Sequence, residues 1–156
     1  EAKAAAFYFR HLFGSEFSRN DEHIVNGALN YGYAIVRGII ARSIVCYGLE
    51  PSIGLFHRSE LNSYNLADDF IEPFRPVVDL FVASKFDMSQ ESVALTPELK
   101  RGLYGIVNFE MKIKGEKRIL SNCIDGMVAS YSSVLQGKCD ILSLPELISL
   151  QVHSYE

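Results

Sequence analysis

Apolar residues recur along this chain at helical rather than strand spacing. Within the first thirteen residues Glu1, Ala5, Tyr8 and Leu12 fall on one face, Ala4, Ala5 and Ala6 favour helix, and Gly14 stops it. A much longer apolar pattern covers 22–47 and closes at Gly48, with Pro51 three residues beyond, so the spacing predicts a long central helix. Its polar positions Asn26, Asn30, Tyr33 and Arg37 stand at offsets of 4, 7 and 11 and make one stripe. Gly32, Gly38, Ala34 and Ala41 are small enough for neighbouring helices to approach closely, which predicts a surrounded element.

Beyond a loop over 49–65, Phe70, Phe74, Val77 and Phe81 form an apolar stripe opposite Asp68, Glu72, Arg75 and Asp79. Asn65 is the expected N-cap of this helix. Pro73 cannot donate to the carbonyl of Asp69 and should kink or restart it. Thr96 and Pro97 open a further helix carrying Leu99, Leu103, Ile106 and Val107. Residues 112–118 read as a tight turn or short hairpin, and Leu120, Ile124, Met127, Tyr131 and Val134 mark an amphipathic helix ending at Gly137. Ser143 and Glu146 resemble a capping box for a last short helix. The expected fold class is therefore all-α: one helical domain over 1–156, about six helices around the long central one.

Composition narrows the function classes. A chain of 156 residues fits one domain with a real core, and a net charge of −4 gives no general signature of nucleic-acid binding. The most apolar stretch, 35–49, is broken by Arg37 and Arg42, so no membrane span is expected. Three widely spaced cysteines, Cys46, Cys123 and Cys139, argue for reduced thiols in the cytoplasm. The chain opens on Glu1 rather than methionine, which suggests a missing front segment.

The candidate chemistry lies between His57 and Pro76. Asp68 and Glu72 (i, i+4), or Asp69 and Glu72 (i, i+3), share a helix face, and His57 can fold back from the preceding loop. Carboxylates with one imidazole suit Mg²⁺, Mn²⁺ or Zn²⁺. The competing reading is that Asp68, Asp69 and Glu72 simply favour the positive end of a helix dipole and pair with Arg75. Arg58, beside His57, is a candidate phosphate contact, whereas the Asn26–Arg37 stripe fits a satisfied polar network. Lys100, Arg101, Lys112, Lys114, Lys117 and Arg118 are the densest basic zone.

Four ordered blocks carry a family resemblance: Glu1-x-x-Ala4-Ala5-x-x-Tyr8-Phe9, Asn26-x-x-Leu29-Asn30-Tyr31-Gly32-Tyr33, Gly54-x-Phe56-His57 and Leu66-Ala67-Asp68-Asp69-x-x-Glu72-Pro73-x-Arg75. Together they resemble the CRISPR-associated endonuclease of spacer acquisition, protein one of the adaptation pair, in its type II variety. The resemblance implies a C-terminal catalytic domain without the family's N-terminal β-rich domain. It implies catalytic metal ligands at Glu1, His57 and Glu72, with Asp69 a further acidic position at the metal, and Mg²⁺ or Mn²⁺ as cofactor. It also implies DNA as substrate, a homodimer in the full-length protein, a second adaptation protein as partner, and insertion of spacer DNA by attack of a 3′-hydroxyl on a phosphodiester. The alternative is a non-catalytic helical interaction module whose acidic face docks a protein. A helical His-Asp phosphohydrolase is disfavoured, since no histidine here is followed by aspartate.

Overall fold

The computed structural model describes residues 2–86, 88–89 and 94–152. The central helix α2, Ile24–Cys46, follows a short first helix, α1, Ala2–Phe13. α2 buries Leu29, Val36, Ile40 and Ile44 completely, but Asn30, Ala34, Gly38 and Arg42 stand exposed along one edge, so its neighbours cover most of it without surrounding it. Those neighbours are α3 (Asn65–Phe70), α4 (Arg75–Ala83), α5 (Pro97–Leu103) and α6 (Leu120–Leu135), the last contributing the fully buried Leu120, Ile124 and Val128. Close approach of α2 and α4 depends on Gly32, where an added Cβ would lie 2.7 Å from Val78 Cγ1. Gly38 faces open space instead, so the small-residue argument holds for only one of that pair.

Pro73 interrupts the acidic segment as its chemistry demands. α3 stops at Phe70, a 3-10 turn spans Glu72–Phe74, and α4 restarts at Arg75. His23, not an acid or hydroxyl, caps α2 by accepting from the Val25 N–H at 3.2 Å.

The all-α expectation is wrong. Strands β1 (Glu110–Ile113) and β2 (Glu116–Ile119) form a two-stranded antiparallel sheet, which makes the fold mixed α/β. The two residues between them, Lys114 at φ 52° and Gly115 at φ 82°, make the primed turn whose twist suits a two-residue hairpin. β1 turns Met111 and Ile113 into the core. The final helix is absent too: Glu146 exchanges backbone hydrogen bonds with Lys112 (2.7 and 3.0 Å), and Gln151 accepts from the Glu110 N–H at 2.9 Å. A capping-box pair with Pro145 between its members is too short a nucleus to compete with pairing on an open strand edge.

Burial separates the cysteines. Cys123 is fully buried, and desolvation, only partly opposed by Arg118 and the Met111 backbone, pushes its thiol up to about 11. Cys46 is exposed. A thiol reagent should therefore modify Cys46 in the native protein and reach Cys123 only on unfolding, as mass spectrometry of labelled peptides would show.

Candidate metal centre

Three polar residues on one side of α3 organise the loop that carries His57. Asn65, only 4% exposed, is not the simple cap expected of it. Its amide donates to the carbonyls of Ser52 (3.0 Å) and Ser59 (2.8 Å), while its oxygen accepts from the Ser59 N–H and the Asn62 amide. Asp68 takes a two-pronged contact from Arg37 (2.5 and 2.8 Å) and a third from Asn62 at 2.6 Å. Burial alone would raise the Asp68 pKa, but the Arg37 guanidinium and Asn62 outweigh it and hold it below the usual carboxylate value.

Asp69 is the more enclosed of the two acids, its side chain 7% exposed against 20% for Asp68. Oδ2 accepts from the backbone N–H of Leu55 (2.5 Å) and Phe56 (3.0 Å). Oδ1 accepts from the His57 N–H (3.0 Å) and sits 2.7 Å from His57 Nδ1. Here too burial pushes the carboxyl up, and the Phe56 N–H, the His57 ring and the other two amides overcome it, leaving the pKa lowered. The loop closes this tightly because residue 54 is glycine: a Cβ there would lie 2.2 Å from the His57 carbonyl and 3.0 Å from Asp69 Oδ2.

His57 is thus fixed through Nδ1, its ring half exposed and Nε2 without a partner among the described residues. It borders an open depression of roughly 360 Å³ that is also lined by Gly54, Arg58 and Asn65. Arg58 makes one weak contact, to the Leu55 carbonyl at 3.4 Å. Glu72 follows one turn after Asp69, with Oε1 held by Arg75 Nε at 2.9 Å. Arg75 also stacks on the Tyr33 ring, 4.9 Å from its centroid.

Glu1 lies outside the described residues, so the structure describes two of the three expected principal ligands. Among the described residues no cluster of three His, Cys, Asp or Glu side chains stands ready to hold a cation. Among the described residues, His57 Nε2 and one Glu72 carboxylate oxygen carry no hydrogen bond, so a ring nitrogen and an anionic oxygen, both chemically suited to a divalent cation, remain open to a ligand. Asp69, the fourth expected ligand, has both oxygens committed to the loop.

The polar stripe of α2 is a satisfied network. Arg19 donates to Asn26 and Asn30 (both 2.7 Å), and Arg37 serves Asp68. Sequence spacing missed its most buried member, Asp79, 3% exposed, which pairs not with Arg75 but with the hydroxyls of Tyr8 on α1 (3.0 Å) and Tyr33 on α2. An acid on the polar edge of an apolar helix, with two tyrosines in other blocks, was the available signal. In the basic zone Lys112, Lys117 and Arg118 each pair with a glutamate.

Comparison with known proteins identifies the family. A family model, "CRISPR associated protein Cas1", matches residues 1–103. The chain belongs to the Cas1 family. It is 45% identical over its whole length to the CRISPR-associated endonuclease Cas1 of Neisseria meningitidis serogroup C, of which it covers 52%. A Cas1 of Pyrobaculum aerophilum is 34% identical over 122 residues, 74% of this chain and 41% of that protein. The chain thus spans about half the length of the curated Cas1 relatives it matches. The solved structure of a casposase bound to integration product shares the fold, with a TM-score of 0.73 at 22% identity, over 90% of this chain and 47% of the casposase.

Proposed function

We propose that this chain is the catalytic part of a Cas1 integrase, which inserts spacer DNA into a CRISPR array by phosphoryl transfer and cleaves branched DNA. The observation that supports this most is the seating of His57: a loop pinned at Asn65 and Asp69 presents Nε2 outward, on the segment that leads into Glu72. Glu1, His57 and Glu72 would hold Mg²⁺ or Mn²⁺. Bound there, the ion would stabilise the charge that develops on the phosphate oxygens in the transition state. His57 contributes its neutral Nε2 lone pair, Glu72 an anionic oxygen, and Arg58 a cation aimed at the DNA phosphate. The full-length protein would act as a homodimer with the second adaptation protein, in a prokaryotic cytoplasm; no described helix is long and apolar enough to cross a membrane.

The test is processing of branched DNA by the full-length protein with Mg²⁺ or Mn²⁺, with and without a chelator, beside His57→Ala and Glu72→Ala. Activity should need the metal and vanish in both variants. Equal rates in wild type and Glu72→Ala would remove the catalytic assignment and leave the helical interaction module.

A further inference from the structure

A carboxylate offers about four lone-pair sites on its two oxygens. Asp69 fills all four: two with the Leu55 and Phe56 amides, two with the His57 amide and ring. A cation could bind this carboxylate only by evicting one of these donors, and the evicted backbone N–H would have to find another partner. Three backbone amides already aim their protons at Asp69 and favour its ionised form, so it can only accept, and the proton in the 2.7 Å contact belongs to His57 Nδ1. A neutral ring protonated at Nδ1 carries its lone pair on Nε2, the nitrogen that faces outward.

We propose that Asp69 is a positioning residue rather than a metal ligand: it fixes the tautomer and direction of His57 and clamps the backbone of residues 55–57. The inference rests on the metal role given to His57 above. It divides the acidic pair three residues apart into two jobs, Glu72 for the ion and Asp69 for the ligand that meets it. Carboxylate partners of metal-binding histidines act in this way, by holding the ring and raising the basicity of the free nitrogen.

The tautomer can be read without any metal or activity. In full-length protein labelled with ¹⁵N at histidine and stripped of metal, long-range proton–nitrogen correlation at neutral pH should show His57 protonated at Nδ1. Hydrogen exchange of the Leu55, Phe56 and His57 amides should then stay equally slow when Mg²⁺ saturates the protein. A ring protonated at Nε2, or amides that lose protection by tenfold or more when Mg²⁺ binds, would overturn the proposal. Asp69→Asn, which turns an amide NH₂ towards one pair of donors, should weaken Mn²⁺ binding by about 10- to 100-fold in calorimetry. An unchanged affinity would count against the proposal. If His57 carries its proton on Nδ1 but its signals respond to neither metal, the positioning by Asp69 is upheld and the metal reading falls.

Discussion

Gly54→Ala should lower DNA processing by the full-length protein by on the order of 100-fold while leaving the rest of the fold in place. The added methyl would meet the His57 carbonyl at 2.2 Å and the Asn65 Cβ at 2.8 Å. Neither obstacle is the free end of a flexible side chain: one is backbone and the other is the Cβ of Asn65, buried at the start of α3 and held by four hydrogen bonds. The loop must therefore move, and His57 and the Asp69 contacts move with it. The strain should also cost about 1 to 3 kcal/mol of stability, as overpacking usually does. Steady-state rates and a urea titration on the same preparation separate the two effects. A variant with wild-type rates would mean that the placing of His57 does not limit the reaction.

Asp79→Ala should have the largest effect on stability, about 2 to 4 kcal/mol, because it strands the Tyr8 and Tyr33 hydroxyls that now share one buried carboxylate. Asp79→Asn, which keeps an acceptor, should cost less. Burial holds the Asp79 pKa above its ordinary value, although Tyr33, Tyr8, Arg75 and Arg19 all oppose this. A raised folded pKa means that the native state binds the proton more tightly than the unfolded chain. The contribution is fully present below about pH 4 and is lost as pH rises through the folded value. Wild type should therefore gain stability relative to Asp79→Asn as pH falls from 7 to 4. Urea midpoints at the two ends check this, and a gap that narrows on acidification would contradict it.

What the sequence revealed depended on how local each interaction is. The central helix was legible because twenty-three residues of α2 repeat one pattern, and Pro73 announced its own break. The sheet was not, because β1 is four residues long and one of its two neighbours arrives from residues 146–152, where a helix-capping signal pointed the other way. In the site, spacing grouped Asp69 with Glu72 on one helix face, but the His57 loop folds back over α3 and claims Asp69 first. Asp79 shows the same lesson: the sequence placed it on the polar face of its helix, and two tyrosines distant in sequence took the carboxylate. Spacing put His57 and Glu72 in a candidate set but left a helix-dipole reading of Asp68, Asp69 and Glu72 open beside it, and the family's motif blocks decided which reading to follow.

The strip of chain laid along β1 also sets a boundary for anyone shortening this protein. β2 guards its outer side with Glu116, Lys117 and Arg118, all exposed. Among the described residues, 146–152 cover the other side. Versions that stop before residue 146 would take away the Glu146 and Gln151 carbonyls that the Lys112 and Glu110 amides now use, opening a strand edge on which a second copy could add its own strand. Such truncations should clump as concentration rises, for reasons unrelated to the metal or to DNA.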